Sequence, residues 1–254
     1  MKKTVLITGA TSGFGEAIAR LFSKNGCNVI ITGRRLDRLQ SLKNEINSQQ
    51  SGKAHILCFD VRSNQDVLDA IESLDASWRK IDVLVNNAGL ASGLDLVQNG
   101  NTEDWDKMID TNVKGLLYVS KAVIPMMIEQ GKGHIVNIGS TAGKEVYEKG
   151  NIYCASKHAV DAISKAMRID LLQHGIKVTQ IAPGAAETEF SIVRFHGDVE
   201  RAKQAYSGYR PMDATDIAEL VYYSTTLPAH LCINDLVVTS LGQANSFYIN
   251  RSQE

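Results

Sequence analysis

This 254-residue sequence has few cysteines and histidines, and it has no long apolar run. The four cysteines form no C-x-x-C pair, so we interpret them as reduced structural thiols, and not as disulfides or metal ligands. The six histidines show no H-E-x-x-H or similar spacing, and no metal site is predicted. No apolar run is long enough to cross a bilayer, and the first one stops at Thr8-Gly9, too early for a signal peptide. We therefore expect a cytoplasmic protein.

The charges are almost balanced, with 27 lysines and arginines against 28 aspartates and glutamates. A nucleic-acid-binding protein normally carries a basic face, and none is evident in this sequence. We therefore expect neither a nucleic acid nor a membrane as a partner. The chain has no low-complexity linker, charge block or internal repeat. Its length allows a core that needs no disulfide or structural metal for stability.

Segments typical of strands and segments typical of helices alternate along the whole chain. Seven short apolar segments, typical of strands, cover residues 5–8, 28–32, 55–58, 83–86, 134–138, 177–182 and 236–239. Apolar residues at helical spacing occupy residues 14–25, 36–47, 64–75, 102–130, 153–174 and 216–226. Ser63 and Asp66 resemble a capping box at the start of the third helix. The alternation predicts an α/β fold: one Rossmann-type, doubly wound parallel sheet with helices on both faces, in a single domain over residues 1–254.

A glycine-rich turn, TGATSGFG at residues 8–15, connects the first predicted strand to the first helix. Glycines allow a tight turn and a close approach of the backbone to a ligand. The following helix N-terminus offers unpaired N–H groups and a positive dipole to a pyrophosphate. The turn therefore predicts dinucleotide binding, although a loop can also need glycines for its geometry alone.

The end of the second predicted strand indicates which dinucleotide binds. NAD-binding folds typically place an acid there, to bond the ribose 2′-hydroxyl. This strand instead ends at Thr32 and is followed by Gly33, Arg34 and Arg35. Guanidinium groups hold a 2′-phosphate that an acid would repel, so we predict NADP, with Ser12 and Thr32 as auxiliary hydrogen-bond donors. The alternative is that the two arginines merely begin an exposed helix.

Tyr153 and Lys157 are four residues apart and share one face of a predicted helix. Interconverting an alcohol and a carbonyl group requires a proton donor or acceptor besides the hydride. The ordinary pKa of tyrosine is near 10, and a lysine ammonium about 4 Å away lowers it by roughly three pK units at most. That change would make Tyr153 useful for proton transfer near neutral pH. Ser140 can stabilise the charge that develops on the substrate oxygen.

Together these motifs resemble the short-chain dehydrogenase/reductase family. The turn at residues 8–15 has that family's T-G-x-x-x-G-x-G spacing, residues 86–89 match its N-N-A-G motif, and residues 183–188 match its P-G-x-x-x-T pattern. The resemblance implies an oxidoreductase that acts on CH–OH groups with NADP and a small-molecule substrate, as a homotetramer or dimer. The implied catalytic residues are Asn112, Ser140, Tyr153 and Lys157. The implied cofactor-binding residues are Gly9, Thr11, Ser12, Gly13, Phe14, Gly15, Arg34, Arg35, Asp60, Val61, Asn87, Ala88, Gly89, Tyr153, Lys157, Pro183, Gly184 and Thr188.

Residues 188–195 (TEFSIVRF) resemble one branch of the family, the NADP-dependent serine and 3-hydroxy acid dehydrogenases. This branch implies a substrate loop at about residues 185–209, and a small 3-hydroxy acid or the matching semialdehyde as substrate. Ser140 and Tyr153 would contact that substrate. We hypothesise that Arg194 pairs with its carboxylate, because guanidinium geometry suits a two-point contact. The alternatives are an exposed arginine on a mobile loop, or one that pairs with another protein group.

Two other functions stay open at this point. The chain could reduce another carbonyl compound, such as a sugar, a ketoacyl thioester or a xenobiotic ketone, since the substrate loop decides that choice. It could also be a catalytically silent NADP-binding regulator. Such a protein would be expected to lack some of the four catalytic residues, and this sequence has them all.

Overall fold

The computed structural model describes residues 2–49 and 51–252, so residues 1, 50, 253 and 254 of the predicted domain lie outside the described residues. In the described chain, seven strands form one sheet. They are β1 Thr4–Ile7, β2 Asn28–Gly33, β3 Ala54–Cys58, β4 Val83–Asn86, β5 Gly133–Ile138, β6 Ile176–Pro183 and β7 Asp235–Val238.

The strands follow the order β3-β2-β1-β4-β5-β6-β7, and every neighbouring pair is parallel. The chain builds outward from β1 to β3, then returns to the other side of β1 and continues from β4 to β7. The order therefore reverses between β1 and β4, which opens a crevice at the carboxyl ends of these two strands. The predicted doubly wound parallel sheet is confirmed.

Helices pack on both sides of this sheet. Those of the described chain are α1 Gly13–Lys24, α2 Leu36–Ser48, α3 Asn64–Glu72, α4 Thr102–Ile109, α5 Leu116–Glu129, α6 Asn151–Asp170, α7 Phe190–Arg194, α8 Val199–Gln204 and α9 Ala214–Thr226. Single 3-10 turns lie at Val97–Asn99, Thr141–Gly143 and Leu172–His174. None of the described helices combines the length and the apolar character that crossing a membrane requires.

Alternate residues of each strand face opposite sides of the sheet. Val5 and Ile7 of β1 belong to one buried apolar cluster, which residues of α1, α2 and α9 complete. Leu6, between them, belongs to a second cluster with residues of α3, α5 and α6. Because both faces are covered, the inner strand β1 is apolar from Val5 to Ile7 and shows no alternation with polar residues.

Two stretches differ from the sequence-based prediction. The single helix predicted over residues 102–130 is interrupted by a π turn at Asp110–Gly115, between α4 and α5. The predicted substrate loop contains α7 and α8, which are too short to give a clear helical period. The predicted start of α3 is confirmed, since the Ser63 hydroxyl accepts a hydrogen bond from the Asp66 N–H at 3.2 Å.

His134 of β5 is buried beside the sheet, where its Nε2 lies 2.7 Å from the hydroxyl of Thr179. Burial, with smaller contributions from Lys177 and Lys3, lowers the pKa of His134 to about 4. This pKa is lower in the folded than in the unfolded chain. The stability that the neutral ring contributes is therefore fully present above about pH 6.5, and it is lost as the pH falls toward 4.

Replacing His134 should make the fold less sensitive to acid. Between about pH 7 and about pH 4, we expect the unfolding free energy of the wild type to fall by about 3 kcal/mol more than that of His134→Gln. Urea unfolding at both pH values measures the difference. His230 is exposed, so His230→Gln is the matched control and should behave as the wild type. An equal loss in His134→Gln and the wild type would contradict the prediction.

Candidate active site

A cavity of about 760 Å³ opens at the carboxyl ends of β1 and β4, where the strand order reverses. Doubly wound sheets bind their ligands in this crevice, and the volume is typical of small-molecule sites. All the predicted site residues line this cavity except Gly15, Thr32 and Asn112. Gly15 packs against Gly9 and Asn87, and Asn112 bonds to Leu90. The structure therefore brings the separate sequence motifs together in one place.

The glycine-rich turn forms one side of the cavity. Gly9 and Gly13 have φ angles of +68° and +54°, in the left-handed region that favours glycine. A side chain at Gly15 would collide with the carbonyl oxygen of Gly9. Ser12, the residue before α1, makes no side-chain capping hydrogen bond, and no other side chain of residues 2–49 and 51–252 caps the first N–H groups of α1. An uncapped helix N-terminus beside glycines fits a pyrophosphate group.

The segment after β4 fixes this turn in place. The Asn87 side chain donates from Nδ2 to the carbonyl oxygen of Thr8 at 2.8 Å. The Thr8 hydroxyl in turn accepts from the N–H groups of Asn87 and Ala88 at 3.0 and 2.9 Å. These bonds join the ends of β1 and β4 across the point where the strand order reverses. They explain why the glycine turn and the N-N-A-G motif occur together.

The two arginines after β2 differ in their surroundings. The Arg34 side chain is 57% exposed, and its guanidinium lies 3.7 Å from Asp60. Arg35 instead donates from Nη2 to the hydroxyls of Thr11 and Ser12 at 2.7 and 2.9 Å. Thr32, predicted as an auxiliary donor, is fully buried in β2 and does not line the cavity, so that prediction is wrong. Strand residues alternate between faces, and Thr32 points into the core.

Three of the four predicted catalytic side chains come from two adjacent elements. Ser140 follows β5 and begins the turn at Thr141–Gly143, while Tyr153 and Lys157 lie on α6. Lys157 is buried, donates from Nζ to the carbonyl oxygen of Ile138 at 2.9 Å, and lies 6.0 Å from the centre of the Tyr153 ring. The serine and the tyrosine therefore line the same part of the cavity, with the lysine beside the tyrosine.

Asn112 lies in the π turn and is buried. Its Oδ1 accepts from the N–H of Leu90 at 2.8 Å, and its Nδ2 donates to the carbonyl oxygen of Leu90 at 2.8 Å and to the Ser156 hydroxyl at 3.0 Å. A methyl group on Gly89 would lie 3.2 Å from Asn112 Oδ1 and 3.6 Å from Lys157 Nζ. The π turn thus joins the segment after β4 to α6. Such turns occur frequently at functional sites.

The ionisation of Tyr153 and Lys157 is controlled mainly by burial. Burial raises the pKa of Tyr153, and Arg194 and a hydrogen bond with Ser140 lower it by a smaller amount. Burial lowers the pKa of Lys157 to about 8. The expectation that Lys157 brings the pKa of Tyr153 below its ordinary value is not met in this structure, because burial of the phenol raises that pKa by more than the surrounding groups lower it. Tyr153 is therefore a neutral proton donor near pH 7.

Arg194, at the end of α7, reaches over the catalytic tyrosine. Its guanidinium carbon lies 4.9 Å from the centre of the Tyr153 ring and 5.1 Å from that of Phe190. Its Nη2 donates to the Tyr147 hydroxyl at 2.9 Å, and its Nε is buried without a hydrogen-bond partner in the described chain. The side chain is half-buried, so it is not the exposed arginine of the alternative interpretation. A buried, unpaired N–H of a cation suits an anionic group of a ligand.

Several residues of the cavity were not predicted from the sequence. Gln243 and Ser246 belong to the segment after β7, which folds back over the site. Gln243 Oε1 accepts from the N–H of Ala185 at 2.8 Å, and the Ser246 hydroxyl lies 3.2 Å from that of Thr141. No motif or periodicity marks this segment in the sequence. Tyr147 and Tyr206 also line the cavity without belonging to a predicted motif, and Glu189 lies in the 188–195 stretch but was given no role of its own.

The chain is similar to known proteins over most of its length. A model of the short chain dehydrogenase family matches residues 3–197. The NADP-dependent 3-hydroxy acid dehydrogenase YdfG of Salmonella typhi is 48% identical over 241 residues, which cover 94% of this chain and 96% of the relative. Sulfoacetaldehyde reductase 2 of Chromohalobacter salexigens is 45% identical over 253 residues, which cover 99% of this chain and 100% of the relative.

A solved structure of similar fold adds to these matches. The closed form of a serine dehydrogenase complexed with NADP⁺ superposes with a TM-score of 0.91 and 45% sequence identity. The match covers 96% of this chain and 97% of that protein.

Proposed function

This chain belongs to the short-chain dehydrogenase family and is an oxidoreductase that acts on CH–OH groups; on that premise we propose that it transfers a hydride between NADP and a small 3-hydroxy acid or the matching semialdehyde. The acid is serine-like or 3-hydroxypropionate-like. The observation that carries this substrate class is the guanidinium of Arg194 beside Tyr153, with a buried and unpaired Nε.

The proposed cofactor is NADP, as the names of the YdfG relative and of the serine dehydrogenase complex state for those proteins. The residues of the cavity fit it: the uncapped N-terminus of α1 and the glycine turn suit the pyrophosphate, and Arg34 suits the 2′-phosphate. Asp60 and Val61 would flank the adenine, and Asn87–Gly89 with Pro183, Gly184 and Thr188 would border the nicotinamide. When bound, the nicotinamide ring supplies or accepts the hydride.

The chain's own residues supply the proton transfer. Tyr153 donates its phenolic proton to the substrate oxygen during reduction and takes it back during oxidation; its raised pKa supports the donor role. The Ser140 hydroxyl holds the same oxygen and stabilises its developing charge. Lys157 adds positive charge beside Tyr153. Asn112 keeps the backbone at Gly89–Leu90 against Lys157, and we propose that it anchors a water for the proton path to solvent.

Arg194 limits the length of the substrate. Because its guanidinium carbon is only 4.9 Å from the Tyr153 ring centre, an acid group bound there must be a few bonds away from the reacting carbon. A carboxylate two bonds away, as in 3-hydroxy acids, meets this requirement. A sulfonate also does, and the match to a sulfoacetaldehyde reductase over 99% of this chain makes sulfoacetaldehyde the second candidate substrate.

We also propose the assembly and the location that the resemblance implied. Residues 1–254 would act as one NADP-binding domain whose substrate loop spans about 185–209. The protein would be cytoplasmic and form a homotetramer, or a dimer, without nucleic acid or membrane partners.

The test is nicotinamide absorbance with purified protein and NADP⁺ or NAD⁺. The alcohols are L-serine, D-serine, allo-threonine, 3-hydroxypropionate, 3-hydroxyisobutyrate, 2-hydroxyethanesulfonate and uncharged secondary alcohols. We expect turnover of the carboxylic acids with NADP⁺. Turnover of only the sulfonate selects the second candidate. Activity confined to uncharged compounds would overturn the acid assignment and favour another carbonyl reductase. No turnover of any alcohol, or of carbonyl compounds with NADPH, would favour the silent regulator.

A further inference from the structure

An acidic side chain, Glu189, lies against Arg35 of the proposed 2′-phosphate site and against the nearby Arg38, although no acid stands at the end of β2 in the sequence. Its Oε2 is 3.2 Å from Arg35 Nη1, and its Oε1 is 2.8 Å from Arg38 Nη1. Glu189 stands immediately before α7 on the substrate loop, 154 residues after Arg35. Burial raises the pKa of Glu189, but hydrogen bonds from Arg38 and Arg35 lower it more, so its pKa lies below the usual value. Glu189 is therefore a carboxylate at neutral pH.

Arg35 has few donors left for a phosphate group. Its Nη1 is engaged by Glu189, and its Nη2 and Nε donate to the hydroxyls of Thr11 and Ser12. Among the described residues, the guanidinium of Arg34 contacts only Asp60, at 3.7 Å, and the Arg34 side chain is the more exposed of the two. The two arginines that the sequence places side by side are thus unequal: Arg34 is available to a ligand, whereas Arg35 is largely neutralised.

We propose that Glu189 limits the preference of this site for NADP over NAD, and that Arg34 provides most of that preference. The inference rests on the proposed use of NADP. A carboxylate beside Arg35 repels a 2′-phosphate and competes with it for the same guanidinium, as an acid at the end of β2 would. NAD lacks this phosphate. Any influence of Glu189 on the position of the substrate loop changes the affinities for both cofactors alike. The ratio of the two affinities therefore reports only the effect of Glu189 on the 2′-phosphate.

The experiment measures dissociation constants of NADP⁺ and NAD⁺ by isothermal titration calorimetry, without substrate. The variants are Glu189→Gln, Arg34→Gln and, as a matched control, Glu187→Gln, which removes the same charge from an exposed side chain of the same loop. We expect Glu189→Gln to raise the ratio Kd(NAD⁺)/Kd(NADP⁺) by about threefold to tenfold, because the removed charge lies a few ångströms from the phosphate. Arg34→Gln should lower the ratio by more than about tenfold, and Glu187→Gln should leave it unchanged.

Other outcomes overturn the inference. A lower ratio in Glu189→Gln would mean that the carboxylate positions Arg35 for the phosphate. An unchanged ratio, with both affinities altered alike, would make Glu189 a loop contact only. The increase should also shrink at high salt, since the groups are partly exposed and screened. If the wild type does not bind NADP⁺ at all, the proposed function fails. If the wild type binds NADP⁺ and Glu189→Gln leaves the ratio unaltered, only the inference about Glu189 fails.

Discussion

Tyr153→Phe is expected to lower kcat by about 10³-fold, because the phenol is the only group placed by the proposed mechanism to give the substrate oxygen its proton. The ring itself remains, so its contact with Phe190 and the packing of α6 are retained. The measurement is steady-state turnover in both directions, with the carbonyl substrate and NADPH and with the alcohol and NADP⁺. Both directions should lose activity alike, since the same proton moves in each.

Tyr206→Phe is the control for this substitution. Its hydroxyl also lies in the cavity, but it bonds to the Ser191 hydroxyl and the carbonyl oxygen of Ala186 and does not belong to the proposed proton path. It should lose less than about tenfold in kcat. Comparable losses in the two variants, or a Tyr153→Phe enzyme within about tenfold of the wild type, would remove Tyr153 from the proton transfer.

Arg194→Leu is expected to reduce kcat/KM for the hydroxy acids by about 10²- to 10³-fold, because truncating one partner of a buried, hydrogen-bonded charge pair costs about 2–5 kcal/mol. Uncharged alcohols lack the acid group and should not lose turnover to the same degree. The comparison uses the ratio of kcat/KM between acid and neutral compound, so that a general loss of activity cancels. That ratio should collapse in the variant.

Two conservative variants refine this prediction. Arg194→Lys keeps the charge but loses the planar, two-point contact, so it should recover only part of the lost activity. Tyr147→Phe removes the hydroxyl that Arg194 bonds at 2.9 Å and should raise KM for the acids by less than Arg194→Leu does. An unchanged KM for hydroxy acids in Arg194→Leu would end the assignment of this side chain to the substrate carboxylate.

Much of the fold and of the site could be predicted from local patterns. The alternation of apolar strands with helical spacing predicted the parallel sheet, because strands covered on both faces are mostly apolar. The glycine turn predicted a cofactor loop, because φ angles such as that of Gly9 and the contact at Gly15 exclude side chains. The pairing of Tyr153 with Lys157 followed from the helical repeat, which places residues four apart on one face.

Tertiary structure decided the rest. Glu189 meets Arg35 although 154 residues separate them, so a search for an acid near the end of β2 could not find it. The segment carrying Gln243 and Ser246 enters the cavity only because it folds back after β7. The distance from Lys157 to Tyr153 and the burial that raises the phenol's pKa depend on packing around α6. Sequence patterns record local repeats and short spacings, so by themselves they determined the elements and the main motifs. Contacts between distant segments, and the ionisation that burial imposes, depend on how those elements pack.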